Sequence, residues 1–141
     1  MELSEALSFA KSRSRGVLTT IKSDGRPQLS NIAYGLNDDG EMRISITAER
    51  AKYFNLVRDP RASVHVTSDD FWAYVVLEGT ATVLPVAASP DDSTVEALIA
   101  LYRTFGREHP DWDEYRAAMV KDRRTVVVLP ITHAYGMLAN P

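Results

Sequence analysis

Hydrophobic and polar positions alternate with a period of two through the first third of the chain. Met42, Ile44 and Ile46 are apolar while Arg43, Ser45 and Thr47 are polar, the pattern of a strand with one buried face. GVLTTIK (16–22) is rich in β-branched and apolar residues and runs into Ser23-Asp24-Gly25, whose Asp-Gly pair predicts a hairpin. PQLSNIAYGL (27–36) mixes polar with apolar positions and ends at a second turn, Asn37-Asp38-Asp39-Gly40. Residues 16–47 are therefore expected to form an antiparallel meander.

The period then lengthens. In ERAKYFNLVR (49–58), Tyr53, Leu56 and Val57 predict a short helix with one apolar stripe, stopped by Asp59-Pro60. ASVHVT (62–67) and AYVVLEGTATVL (73–84) predict two more strands, with Gly79 marking a bulge or bend in the longer one. Ser89-Pro90-Asp91-Asp92 supplies a serine N-cap, a first-turn proline and two acids for a helix continued by Val95, Leu98, Ile99, Tyr102 and Phe105. Asp111, with Glu114 three residues later, resembles a capping box and opens a second helix to about Asp122. TVVVLP (125–130) reads as a buried strand that ITHAYGM continues beyond the proline. Six or seven short antiparallel strands interrupted by a helical pair predict a mainly β protein, a small barrel with appended helices. No repeat or linker divides it, so residues 1–141 are expected to form a single domain.

Composition narrows the chemistry. The chain has no cysteine, which removes disulfides, thiolate nucleophiles and cysteine-based metal sites together. His65, His109 and His133 lie far apart, with no HExxH-like spacing, and no metal site is expected. No run approaches the roughly 18 apolar residues of a membrane helix. The segment MELSEALSFAKSRSR has no apolar core of signal-peptide length, so a cytoplasmic protein away from membranes is the expectation. The net charge of −3 hides an asymmetry, because residues 11–61 carry ten basic against six acidic side chains. An acidic total argues against a dedicated nucleic-acid binder. The basic half suits a compact anionic ligand, or is scattered solvated charge.

No GxGxxG, Walker, GxSxG or EF-hand pattern is present. The most informative segment is SITAERAK (45–52), where a strand bearing Ser45 and Thr47 runs into a helix start carrying Arg50 and Lys52. A helix N-terminus favours an anion, to which an arginine fork and a lysine point charge add. The same residues also fit a solvated first turn with Glu49 as its capping acid. In RPQLSN (26–31), Gln28, Ser30 and Asn31 interrupt a strand; they face water or bind something, since each would cost about 1–3 kcal/mol if buried unpaired. The aromatics of DDFWAY (69–74) suit a core, an interface or a stacking wall for a flat ligand. His65 reads as a half-buried strand histidine and His109 as a loop residue; Arg123-Arg124 read as helix-end charges or as partners of an anionic tail.

Four segments, GVLTTIKSDGRPQLSN, ITAERAKYFNLVRDPRASVHV, DDFWAYVVLEGTA and YRAAMVKDRRTVVVLPITHAYGM, resemble in this order the FMN-binding split β-barrel superfamily. The resemblance is closest to its F420-dependent, pyridoxamine-5′-phosphate-oxidase-like branch (PPOX class) and covers about residues 13–138. It implies a Greek-key-like split β-barrel and a homodimer with two cofactor sites in grooves between the subunits. It implies coenzyme F420, a deazaflavin with a phosphate and a polyglutamate tail, in each groove, with FMN as the alternative. Arg50 and Lys52 would hold the anions, with Ser45 and Thr47 near them. Pro27, Gln28, Ser30 and Asn31 would border the ring through backbone and side chain, and Trp72 and Tyr74 of the partner subunit would close the pocket. The implied activity is a reductase passing a hydride from reduced F420 to a small planar substrate. A non-catalytic F420 carrier or an FMN-dependent flavoprotein would use the same groove. No side chain has an obvious acid–base identity; Tyr74 or a water is the candidate proton source. Members that oxidise pyridoxamine phosphate end in an Arg-Leu-x-Pro-like sequence, whereas this chain ends HAYGMLANP, so that activity is not expected.

Overall fold

The alternating first third folds into strands that curl around one apolar interior. The computed structural model describes residues 1–138, which leaves the last three residues of HAYGMLANP outside the described residues. In chain order these form α1 (Leu3–Lys11), β1 (Arg15–Ile21), β2 (Pro27–Ala33), β3 (Gly35–Leu36), β4 (Glu41–Thr47), α2 (Ala51–Arg58), β5 (Arg61–Thr67) and β6 (Tyr74–Thr80). They continue with β7 (Thr82–Val83), α3 (Ser93–Thr104), α4 (Trp112–Lys121) and β8 (Arg124–Met137). The sheet runs β2-β1-β5-β6-β8-β4-β3, with β7 beside β8, and every pairing is antiparallel. The two ends of that order, β2 and β3, are consecutive in sequence and joined through Tyr34. One bent run therefore leaves β1 and arrives at β4, closing the curl. Beyond the short β3 pairing, β2 and β4 keep free edges, and this gap splits the barrel.

Alternation fills the interior. Leu18, Met42, Ile44, Val64, Val75 and Leu77 are fully buried and belong to one core. β8 spans both halves, pairing β4 through residues 124–130 and β6 through 131–137. The expected irregularity at Gly79 is a register shift between Glu78 and Gly79. A Cβ there would collide with the Pro130 carbonyl, so only glycine lets the strands approach. The predicted strand 73–84 is cut at Ala81, whose N–H donates to the Pro60 carbonyl at 2.7 Å instead of extending the ladder.

Three local expectations change. α1 was not predicted, because its buried contribution is two alanines, Ala6 and Ala10, rather than a long apolar stripe. The α3 cap is Asp92, not Ser89: its carboxylate accepts from the N–H groups of Ala88 at 2.8 Å and Val95 at 2.9 Å, and these bonds hold it below the usual aspartate range. On α2 the predicted stripe is rotated. Val57 is 63% exposed, and Asn55, only 6% exposed, takes the buried place beside Leu56. Asp111 caps α4 as expected, accepting from Glu114 N at 3.1 Å. No helix among the described residues is long and apolar enough to cross a membrane.

Burying an amide is tolerable only because it is paired. Asn55 Nδ2 donates to Thr20 Oγ1 at 3.1 Å, and that hydroxyl donates to Gln28 Oε1 at 3.1 Å, tying α2 to β1 and β2. Replacing Asn55 with alanine is expected to lower unfolding free energy by about 1–3 kcal/mol in urea denaturation. Replacing exposed Val57 with serine should change it by no more than about 0.5 kcal/mol.

Candidate functional site

β4 presents its polar row, Arg43, Ser45 and Thr47, to the outer surface while Met42, Ile44 and Ile46 point inward. α3 and α4 pack over this outer face through a second apolar cluster that includes Val95, Leu98, Ile99 and Val126, with Tyr115 and Met119 against it. Between these helices and the split lies a cavity of about 490 Å³. Its floor is the two strands flanking the split, Asn31–Ala33 of β2 and Ser45–Thr47 of β4. Its roof is aromatic and apolar, with Leu98, Tyr102, Phe105, Tyr115 and Met119.

Three cations close one end: Arg50, Lys52 and Arg124. Arg50 is the N-cap of α2, its extended backbone leading from β4 into the helix, and its side chain makes no cap bond. Glu49 is therefore not the capping acid. The first turn of α2 contains no acid, so Arg50 and Lys52 stand at the positive end of a helix dipole against their own electrostatic preference. Arg124 comes from the opposite direction. Arg123, in the left-handed region at φ 52°, turns the chain out of α4 and accepts from Ala48 N at 2.9 Å. β8 then starts with Arg124 opposite Thr47. Arg124 Nη1 donates to Ser45 Oγ at 3.3 Å, while its Nε is buried without a partner. No carboxylate lines the cavity, and no ion pair among the described residues involves these three cations. Burial draws the Lys52 ammonium below the usual lysine range, and the charges of Arg50 and Arg124 draw it further. The Tyr115 phenol is shifted upward by burial and donates to the Leu98 carbonyl at 3.3 Å.

Five of the residues singled out from sequence thus meet in one cavity: Asn31, Ser45, Thr47, Arg50 and Lys52. The others lie elsewhere on the chain. Gln28 and Ser30 pair with Thr20 and Leu18, both fully buried, and so face the interior; Gln28 is engaged by Thr20, and Ser30 Oγ is buried without a partner. Pro27 begins β2, exposed, at its far end from the cavity. Trp72 is 62% exposed on the β5–β6 turn beside Phe71, whose φ is 80°. Tyr74 lies on the outer sheet face with its ring 5.3 Å from that of His65. A shallower depression, lined by Gly16, Val17, His65 and Thr67, shares Asn31–Ala33 with the cavity, so β2 is their common wall. The roof residues Tyr102 and Tyr115 carried only a core-helix signal in the sequence. Nothing there indicated that α3 lies over β4.

Solved structures with this architecture carry different chemistries. A conserved hypothetical protein from Mycobacterium tuberculosis is 26% identical over 97% of this chain and 84% of that one, with a TM-score of 0.74. An F420 reductase superposes with a TM-score of 0.67 at 22% identity, covering 91% of this chain and 94% of its own. A heme-binding protein from Mycobacterium smegmatis is 26% identical with a TM-score of 0.64, over 94% of this chain and 52% of that longer one. The sequence itself matches one family model, described as pyridoxamine 5'-phosphate oxidase, across residues 3–137. The chain with the split sheet and the cationic cavity belongs to the pyridoxamine 5'-phosphate oxidase family.

Proposed function

We propose that this protein is an oxidoreductase that binds reduced coenzyme F420 and passes a hydride from it to a small planar organic molecule. One observation carries the reading: three cations, Arg50, Lys52 and Arg124, face a single cavity that contains no acid. The unpartnered Arg124 Nε and the crowding of Lys52 by Arg50 and Arg124 both fit a seat for an anion of the phosphate class. Ser45 and Thr47 add hydroxyl donors beside them. An F420 reductase has this fold, so the architecture is one that can seat such a cofactor, while the choice rests on the cavity's charge.

The deazaflavin, when bound, supplies the hydride. The chain's own part is to bind, orient and exclude water. Arg50, Lys52 and Arg124 hold the phosphate. The free edge of β2 offers unpaired backbone groups to the polar rim of the ring at Asn31, which adds its side chain on the common wall. Gln28 and Ser30, whose partners on β1 are Thr20 and Leu18, fix that edge from behind, and Pro27 lies too far along β2 to touch the ring. Trp72 and Tyr74 do not reach this cavity in their own chain, so in this reading a second copy delivers them. The outer sheet face supports such a dimer. There Leu29, Tyr135 and Met137 are 59%, 48% and 44% exposed. With Tyr74 on that same face, a phenol of the partner is the candidate proton source.

Side-by-side titration of F420 and FMN, followed by tryptophan fluorescence, tests the cofactor. F420 is expected to bind more tightly, and Lys52→Ala to weaken it at least tenfold, or about 1.4 kcal/mol. Yellow protein that retains FMN and ignores F420 would replace this reading with a flavoprotein. Tight F420 binding without turnover of enone, quinone or nitroaromatic acceptors would make it a carrier.

The anion seat predicts a pH dependence whose sign is fixed. Lys52 loses its proton below the usual lysine pKa of about 10.4, so affinity for inorganic phosphate should fall with rising alkaline pH before an ordinary lysine would titrate, while the phosphate stays a dianion. Lys52→Arg keeps its charge across that range, and calorimetry on it should show a flat profile. For the dimer, sedimentation equilibrium should give twice the chain mass, falling to the single mass in Leu29→Glu; a monomeric parent protein would remove the partner-supplied wall.

A further inference from the structure

We propose that the chain carries a second ligand site, on the other flank of α3, for a small monocarboxylate with an apolar body. α3 lies across the outer face of β4 and divides the polar row of that strand. Ser45 and Thr47 open into the cavity described above, whereas Arg43 opens into a separate cavity of about 480 Å³ enclosed by α1, β3, β4 and α3. Leu101 and Phe105 line both. Gly35 makes the close seating of α3 feasible, because a Cβ there would stand 3.0 Å from Leu101 Cδ1 and 3.0 Å from Thr104 Oγ1.

The chemistry of this second cavity differs from that of the first. Much of its wall is apolar, with Leu36, Ala97, Ala100, Leu101 and Phe105. Of its three cations, Arg43 is already matched by Glu41, which also lines the cavity, at 2.8 Å. Lys11 and Arg13 have carboxylate partners, Asp38 and Asp69, whose side chains are 87% and 103% exposed. Such surface pairs hold little energy, so both cations remain available. Arg13 is held from two sides, by Asp69 at 3.2 Å and by the Phe9 ring 4.6 Å away. Its Nε is nevertheless buried without a hydrogen-bond partner, which leaves an unmet need for an acceptor. One negative charge in the cavity would meet the Arg13 guanidinium and Lys11, both of which line it. A second would meet Glu41. The apolar wall then takes a hydrocarbon body rather than a phosphate, which distinguishes this site from the cationic one across α3.

Isothermal titration with 2-naphthoate tests the proposal, with inorganic phosphate as the probe of the first cavity. Naphthoate is expected to bind one equivalent per chain. Arg13→Gln should weaken it at least tenfold, and so should Ala100→Phe, which fills the cavity from α3 without changing a charge. Lys52→Ala should leave naphthoate binding unchanged and weaken phosphate instead. Absence of naphthoate binding would overturn the site. So would a loss in Lys52→Ala but not in Arg13→Gln, or equal affinity for the uncharged 2-naphthylmethanol. Because the two probes report separately, failure here leaves the reading of the first cavity standing.

Discussion

Tyr34 is where the chain stops bonding to β1 and begins bonding to β4. Its N–H donates to Ser14 O at 2.9 Å and its phenol, 1% exposed, donates to Ala10 O at 2.6 Å. Burial holds that phenol far above the ordinary tyrosine range, which favours its role as the donor to Ala10 O. The bend it pins carries the backbone from one end of the sheet order to the other without letting β2 and β4 bond. Two strand edges are thereby left with backbone groups that the sheet does not satisfy. A barrel fully closed by hydrogen bonds would have no such edges and no cavity at this place. α1 contributes to the site only through this bend, since Ala10 supplies the acceptor that fixes Tyr34.

Electrostatics at the split runs against stability. Two cations at the N-terminus of α2 and a third from β8 repel one another and oppose the helix dipole, and burial of Lys52 adds to the penalty. A fold selected for stability alone would place an aspartate or glutamate there, as it does at the N-terminus of α3 with Asp92. Local rules obeyed at α3 and α4 and broken at α2 mark the place where something other than folding sets the sequence. An anion bound there would reverse each unfavourable element at once, and on the proposed reading ligand binding and protein stability would be coupled through the same three side chains.

The strands were legible because a half-buried strand writes its burial into every second residue, as Met42 to Thr47 do. The N-cap at Asp111 and the bulge at Gly79 were legible for the same reason, each being a local requirement with few chemical solutions, although the Asp111 N–H donates to His109 Nδ1 rather than to Glu114 and so leaves the capping box half formed. α1 was not, because alanines that allow close approach leave little hydrophobic signal. Val57 was misread because a stripe on so short a helix can be drawn with either Tyr53-Leu56 or Leu56-Val57 as its centre. A buried amide decided between them through a bond to Thr20, thirty-five residues away. The basic junction at 45–52 was visible as a cluster. Arg124 joined it only through the pairing of β4 with β8, a contact of high sequence separation that no local pattern encodes. Gln28 and Ser30 were legible as anomalies, but their direction was set by register with Thr20 and Leu18.

Since one architecture serves an F420 reductase and a heme-binding protein, the fold does not choose the cofactor; the distribution of charge within the cavity does. A porphyrin carries its negative charge on two separate flexible propionates, each a monoanion. FMN carries a compact phosphate at the end of a neutral chain, and F420 carries a phosphate followed by an anionic glutamate tail. In this protein three donors from two elements face one end of one cavity, and its other walls are aromatic and apolar. Concentrated positive charge is best satisfied by concentrated negative charge, because each cation then interacts with the same anion at short range in a partly desolvated site. If the proposed reading holds, the placement of Arg124 beside Lys52, rather than the barrel itself, is what would favour a phosphate-bearing redox molecule over a porphyrin.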